Sequence, residues 1–355
     1  MSASSVSTVP TPEQLATNNA FTLIAQNSTL FGVTVVIVSI RCYTRGVVLK
    51  SFGKDDWTIL VSLLLATVTL ICYAAQVPVG LGRPISVIRL DQDGYRTLLK
   101  FRMIHMTFIT AGVTVVKISV SFTLLRLAVT ERHRWFLYSL ILFLLGFLVL
   151  CAGTIGMSYH PSNVAILISN LVLQCLPVAA IWDLRLRPPP IGSGTAICMS
   201  ISTFSDIAIF NATVTIATDF LLALLPIPFI WKLSLNLRTK LFLAIVLSLG
   251  LLASFAGIMK ATKSLTILLD PNRFVHDSFA RWNFAELYIG IIAASLPALK
   301  PFFQKIIDAI HLTRASYPAR GSRYSFRGPD SVGYTRQDEE RSGKNSDIPL
   351  RQIEC

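Results

Sequence analysis

The sequence predicts an all-α membrane protein: a bundle of seven transmembrane helices, N-terminus out and C-terminus in, with a disordered cytoplasmic tail. Three observations support this fold class. The 355 residues are 53% hydrophobic and 14% charged, with a mean hydropathy of +0.60. The apolar runs reach about 20 residues, the length that crosses a hydrocarbon core about 30 Å thick. Arginine and lysine collect in the short loops between these runs, as they do in cytoplasmic loops.

Spans one and two are predicted at residues 21–40 and 57–79, two apolar runs without an internal charge. The loop that joins them is rich in cations, which places it in the cytoplasm. These cations are Arg41, Arg45, Lys50 and Lys54.

Span three is predicted at residues 101–127, with Lys117 near its centre. The turn that follows, residues 126–134, is again basic and therefore favours the cytoplasmic side. Span four is predicted at residues 135–157.

A second apolar run, residues 164–182, decides between seven and eight spans. If it crossed the membrane, the basic segment 232–240 would face the same side as the N-terminus, against the distribution of positive charge expected of loops. We therefore place residues 158–202 outside, where they form a re-entrant or interfacial helix. The alternatives for the region 150–182 are an extra span, an insertion and an error in the gene model.

The remaining spans are predicted at residues 203–231, 241–262 and 282–299. Three regions follow from this pass along the chain. Residues 1–19 are a disordered extracellular N-terminus, residues 20–305 form the membrane domain, and residues 306–355 form a short amphipathic helix and then a disordered basic tail. The tail lacks the apolar content that would order it.

Several local patterns resemble one family, the fungal rhodopsin-domain integral membrane proteins. The first is RCYTR at residues 41–45, followed by FGKDDW at residues 52–57. Further similar segments lie at residues 117–127, 174–183, 218–233 and 295–301. The resemblance covers about residues 20–305, and it is to members that lack a cysteine-rich extracellular domain. The segment between Leu150 and Cys175 is longer than the family pattern implies.

The resemblance implies seven helices and a receptor-like protein of the plasma membrane. Some members are treated as sensors similar to G-protein-coupled receptors, so the implied partners are an unknown extracellular ligand and a heterotrimeric G protein. A small-solute transporter is the alternative, because Pro226 and Pro228 break span five and broken helices occur at transport sites. A purely structural role in the membrane also stays open.

Charged residues at membrane depth are expensive and mark functional sites. Lys117 and Asp219 lie near the centres of spans three and five, and we predict an ion pair between them that lines a polar cavity. Glu286 and Lys260 lie at similar depth in spans seven and six and form a second predicted pair. These four residues are the candidates for a ligand cavity. The alternative is that both pairs only fix the packing of the helices.

Cys175 and Cys198 fall in the second outer loop, where the secretory lumen permits disulfides. We predict that they pair and hold the loop over the mouth of the bundle. The alternative is two free thiols.

A group of charged residues at the predicted cytoplasmic face is the candidate surface for a partner protein. Topology alone also requires such residues, which is the alternative explanation. The group consists of Arg41, Arg45, Asp55, Asp56, Arg126, Lys232, Arg238 and Lys240.

Other classes of function fit the sequence less well. The net charge of +13 comes from residues that flank apolar runs, so we predict no binding of nucleic acid. The five histidines fall singly at span ends or in loops, which argues against a metal site and a seven-span hydrolase, and we predict no catalytic activity. Retinal needs a mid-depth lysine in the last helix, whereas span seven has only Lys300 at its cytoplasmic end, so we predict no retinal or other cofactor.

Overall fold

The computed structural model of the protein describes most of the predicted membrane domain. The described residues are 11–127, 130–153, 175–189, 192–198, 200–225, 237–266, 270 and 272–315. The chain divides into two units, residues 1–307 and 308–355. Of the second unit only residues 308–315 are described, and they are helical. The predicted disordered tail, from residue 316 onward, lies outside the described residues.

The described chain is almost entirely helical, with long helices over the predicted spans. In chain order the helices are α1 (Pro12–Ala16), α2 (Ala20–Tyr43), α3 (Lys54–Ala74), α4 (Ile85–Ile88), α5 (Gln92–Leu127), α6 (Glu131–Gly153), α7 (Ile201–Leu224), α8 (Leu237–Thr266), α9 (Arg273–His276) and α10 (Ser278–Ala315). A π-helical turn, Thr44–Val48, continues α2. Two strands of two residues each, β1 (Cys175–Leu176) and β2 (Ile197–Cys198), pair antiparallel.

Five of the described helical segments are long and apolar enough to cross a membrane. They are Pro12–Val48, Lys54–Ala74, Gln92–Arg126, Glu131–Val149 and Arg273–Leu299. A shorter apolar segment, Ala208–Leu224, lies in α7. The architecture is therefore that of a multi-pass membrane protein.

The distribution of side chains reverses that of a water-soluble protein. Large apolar residues such as Leu64, Ile71 and Leu142 are exposed on the outer faces of the helices. Charged side chains such as Lys117 and Glu286 are buried between them. This pattern is expected where lipid surrounds the helices, because apolar side chains then face the lipid and polar side chains find partners inside the bundle.

Local interactions satisfy most polar groups within the helices. The Thr34 hydroxyl donates to the Leu30 carbonyl at 2.8 Å, and Thr69 donates to Leu65 at 2.7 Å. Bonds of this kind hide a hydroxyl from lipid at little cost to the helix. At the start of α7, the Ser200 hydroxyl accepts a hydrogen bond from the Thr203 N–H and caps the helix.

Several helix boundaries differ from the sequence-based predictions. Span two was predicted to reach residue 79, but α3 ends at Ala74 and the chain then turns through Gly80 and Gly82, both with positive φ. A separate amphipathic helix was predicted after Pro301, but α10 continues through that proline without a break. Proline is tolerated in a membrane helix when nearby groups satisfy the carbonyl that it frees.

The core has two main parts. One packs α2, α3, α5 and α10 around the rings of Tyr73, Phe284 and Tyr288. The other packs α5, α6 and α7 around Leu137, Leu140 and other aliphatic side chains. Helix α5 belongs to both parts, so it is the element that holds the bundle together.

Candidate functional site

The first candidate site joins α5 to α7 through Lys117. Its Nζ lies 2.9 Å from Oδ1 of Asp219, and both side chains are buried. The same ammonium group donates to the Thr215 carbonyl at 3.1 Å and to the Thr218 hydroxyl at 3.0 Å. All three of its hydrogens therefore have acceptors, so this lysine is fully satisfied at membrane depth.

A second ion pair joins α8 to α10. The Lys260 Nζ lies 2.5 Å from Oε2 of Glu286, whose side chain is 2% exposed. Both contacts, this one and that of Lys117 with Asp219, are present as the sequence predicts. Their role in a ligand cavity stays a prediction.

The two pairs form one group, which we call the charge cluster: Lys117, Asp219, Lys260 and Glu286. Glu286 and Lys260 both act electrostatically on Asp219. Gly257, one turn before Lys260 on α8, faces the same carboxylate, since a Cβ at this position would lie 3.5 Å from Asp219 Oδ2. The charges of the four groups sum to zero.

Two carboxylate oxygens of the charge cluster lack a hydrogen-bond partner among the described residues. Oδ2 of Asp219 and Oε1 of Glu286 are buried, and neither has a hydrogen-bond partner among the described residues. An unpaired buried acceptor costs about 1–3 kcal/mol. The cluster is therefore suited to bind a molecule that donates hydrogen bonds to two carboxylate oxygens.

A second set of charges lies where α2 ends and α3 begins. Arg41 donates to Asp55 and to Asp56, each at 2.8 Å, and to the carbonyl of Ala294 in α10 at 2.5 Å. Arg126 of α5 lies 2.7 Å from Oδ1 of Asp55. Arg45 approaches the other oxygen of Asp55 at 3.8 Å. We call Arg41, Arg45, Asp55, Asp56 and Arg126 the Arg41 network.

The Arg41 network corrects part of the predicted partner surface. Arg41, Asp55 and Asp56 are each about 1% exposed, so they face one another and cannot contact a partner directly. The physical reason is that opposite charges next to a helix interface neutralise each other when they turn inward. Arg126 is 43% exposed and remains a surface candidate.

The predicted partner surface has three further members, two of them within the described residues. Arg238 and Lys240 are in the first turn of α8. Lys232 lies outside the described residues.

His105 is a buried polar residue that the sequence did not single out. The sequence-based prediction placed it at a span end, but it lies inside α5 with 0% exposure, and its ring contacts those of Tyr73 and Phe284, which also contact each other. Within the described chain neither ring nitrogen has a hydrogen-bond partner, and the same is true of the Tyr73 hydroxyl. The sequence signal was a histidine inside an apolar helix, thirteen residues after α5 begins at Gln92. Among the described residues, no group of three potential metal ligands occurs.

The loop from Cys175 to Cys198 is held by a disulfide and an ion pair. Cys175 and Cys198 are bonded and face each other across β1 and β2, as predicted. Asp183 accepts a hydrogen bond from Arg96 at the start of α5. The Arg96 guanidinium lowers the pKa of the Asp183 carboxyl below its usual value. The re-entrant or interfacial helix was predicted within residues 158–202, of which residues 158–174 lie outside the described residues. From residue 175 to residue 198 the described loop contains β1, β2 and two short 3-10 turns, Val178–Ile181 and Leu184–Leu186.

Buried ion pairs between long apolar helices define the class: a helical, multi-pass membrane protein. The family model of the fungal rhodopsin domain matches residues 40–305. Since this is most of the chain, the protein belongs to the fungal rhodopsin domain family. The resemblance drawn from the loop motifs is thereby confirmed.

Three relatives show what the chain is similar to. The SAT4 family membrane protein of Emericella nidulans is 29% identical over 53% of this chain and 47% of its own length. The fugralins biosynthesis cluster protein 2 of Gibberella zeae is 24% identical over 49% of this chain and 42% of its own length. The polyenoic acids biosynthesis gene cluster protein Ba17b of Metarhizium anisopliae is 21% identical over 77% and 71%.

The chain therefore spans about half the length of the first two of these relatives. The search of solved structures finds no match.

Proposed function

We propose that the protein is a receptor-like sensor of seven spans, N-terminus out and C-terminus in, in the plasma membrane. It binds a small extracellular ligand at the charge cluster and couples that event to a cytoplasmic partner, a heterotrimeric G protein. The proposal includes no catalytic step. The observation that supports it best is a pair of buried carboxylate oxygens, Asp219 Oδ2 and Glu286 Oε1, that have no hydrogen-bond partner among the described residues.

The chemistry of the cluster limits the ligand. Its two lysines already neutralise its two carboxylates, so a neutral molecule with two hydrogen-bond donors fits better than an ion, which would add a net charge at membrane depth. Two relatives are named for gene clusters that make small organic products, which agrees with a small organic ligand.

Two helices connect the charge cluster to the Arg41 network. Helix α5 carries Lys117 and, two residues further on, Ser119, whose hydroxyl donates to the Asp55 carbonyl at 2.9 Å. Helix α10 carries Glu286 and also Ala294, whose carbonyl binds Arg41. A ligand that shifts α5 or α10 would therefore alter the contacts of Arg41 and Asp55, and a coupled change of this kind is what a receptor requires.

Binding can be tested with purified full-length protein in nanodiscs and a panel of neutral diols, amides and hydroxy amides. We expect at least one member of the panel to raise the melting temperature of the wild-type protein. The effect should be lost in Asp219→Asn, because the amide presents a donor where the ligand needs an acceptor.

Gly257 offers a steric test with its own matched control. Gly257→Ala places a Cβ at ordinary contact distance, 3.5 Å from Asp219 Oδ2, and should preserve binding. Gly257→Val adds two methyl groups beside that oxygen and should abolish it. If both variants bind equally well, the ligand is not held at Asp219.

Coupling needs a separate measurement. In cells, the active compound should recruit a G-protein α subunit to the wild-type protein and not to Asp219→Asn. Transport of the compound into protein-containing vesicles, without recruitment, would instead favour the transporter.

The topology can be tested with glycosylation tags. A tag inserted between Asp183 and Ser200 should be modified if this loop is outside, and a tag next to Thr130 should not. The opposite result would reverse the proposed orientation.

A further inference from the structure

His105 lies in a contact region whose interpretation does not depend on the proposed receptor function. The imidazole lies between α3 and α10, with its ring centroid 5.3 Å from that of Tyr73 and 5.3 Å from that of Phe284. All three residues are 0% exposed. Nothing in the ion pairs of the charge cluster or the Arg41 network uses this histidine.

Several polar atoms of this region are buried without a partner. They are both ring nitrogens of His105 and the hydroxyl of Tyr73, which lies near the Asp277 carboxylate; none of these three atoms has a hydrogen-bond partner among the described residues. More than about 90% of buried polar groups in native proteins are hydrogen-bonded to protein or to ordered water. These unpaired polar atoms lie in one contact region, which indicates that a bound molecule forms hydrogen bonds with them.

The open groups restrict the chemistry of that molecule. A neutral imidazole has one nitrogen that donates and one that accepts, and a tyrosine hydroxyl does both. The bound group must therefore donate and accept as well. Asp277 next to this region is already neutralised by Arg102, at 2.5 and 2.6 Å, so an added ion would be left without a counter-charge.

We propose that His105 and Tyr73 bind a hydroxyl group, supplied either by water or by a small organic alcohol. The guest bridges the imidazole and the phenol, and the ring of Phe284 closes the site on the side of α10. It is a site distinct from the charge cluster, whose polar residues are on other helices or further along α5 and α10.

A double-mutant cycle tests whether the two residues share one guest. Tyr73→Phe removes only a hydroxyl, and His105→Phe removes both nitrogens. We expect each to lower the melting temperature of the full-length protein in nanodiscs, by about 2–4 °C, and the double variant to lose clearly less than the sum. Tyr138→Phe, at an exposed tyrosine of α6, is the control and should change nothing.

The cycle also shows how the proposal fails. Strictly additive losses would mean that the two residues have separate partners, with Tyr73 bonded only to the neighbouring Asp277. An unchanged or higher melting temperature for Tyr73→Phe would mean that the hydroxyl is buried without a hydrogen-bonded guest. Either result overturns the proposal.

Nitrogen NMR of the unmutated protein gives a second, independent reading. With ¹⁵N-labelled histidine, both His105 nitrogens should show shifts of hydrogen-bonded atoms, assigned by their loss in His105→Phe. A free acceptor nitrogen would contradict the proposal. Mass spectrometry of a solvent extract of the purified protein then distinguishes the two sources of the hydroxyl group. A co-purified alcohol that is missing from the double variant is the organic guest. If no alcohol is found and the nitrogen shifts are those of hydrogen-bonded atoms, the guest is water.

Discussion

Arg41 and Asp55 form a buried ion pair, with Nη2 2.8 Å from Oδ2 and only 1% of each side chain exposed. The two residues come from different helices, and the same arginine also binds Asp56 and the carbonyl of Ala294. One side chain thus joins the end of α2 to the start of α3 and to α10.

Replacing Arg41 should destabilise the protein strongly. Arg41→Met leaves two buried carboxylates without their main partner, and breaking a buried ion pair costs about 3–5 kcal/mol. The free energy of unfolding in detergent micelles measures the loss. Arg134→Met is the control, because its pair with Glu131 is exposed and such a pair contributes about 0–1 kcal/mol. Equal losses in the two variants would show that Arg41 is not held as described.

A side chain at Gly53 should displace Arg126 from Asp55. A Cβ at this position would lie 1.7 Å from Nη2 of Arg126, so Gly53→Ala must push the guanidinium away from Asp55. We expect a lower melting temperature, and no further loss when Arg126→Ala is added. The control is Gly32→Ala, which has nothing within 4 Å of the new Cβ and should be neutral or stabilising. A neutral Gly53→Ala would contradict the position of Arg126.

The sequence could predict the positions of charges along the membrane normal, but not the direction in which they point. Lys117 and Asp219 lie near the middle of apolar runs, where a charge must find a partner, so their contact followed from depth alone. Asp55 and Asp56 lie at a span end, where water and the bundle interior are both within reach. Only the packing of α2 on α3 decides between them, and this depends on contacts far apart in sequence.

The same reasoning explains the other differences. His105 lies close to a predicted span end, so its depth did not mark it, and only the neighbouring rings of α3 and α10 show that it is buried. Helix α5 begins at Gln92, before the predicted span, because polar residues that end an apolar run do not end a helix. Hydropathy indicates which residues lie in the membrane, whereas the positions of helix ends depend on local hydrogen bonds.

The contact of the loop from Cys175 to Cys198 with α5 should weaken in acid. Hydrogen bonding to Arg96 lowers the pKa of Asp183 in the folded protein, so its stabilising effect is fully present above the unfolded pKa, about 3.9, and is lost as the pH falls through the folded value. Limited proteolysis between Asp183 and Ser200 should therefore be slow at pH 6 and faster below about pH 4. Asp183→Asn should show the faster cleavage at both pH values. Cleavage of the wild-type loop that does not depend on pH would contradict this role.

The ion pair of Lys260 and Glu286 should show strong coupling between its members. Lys260→Met leaves Glu286 charged and 3% exposed, so we expect a loss of about 3–5 kcal/mol in the free energy of unfolding. Glu286→Leu alone strands the ammonium group, which is better placed to reach solvent because its side chain is 16% exposed, so the loss should be smaller. The double variant removes both charges and should recover most of the stability, since an apolar pair of similar volume often replaces a buried ion pair without loss. Losses that simply add in the double variant would show that the two groups do not depend on each other.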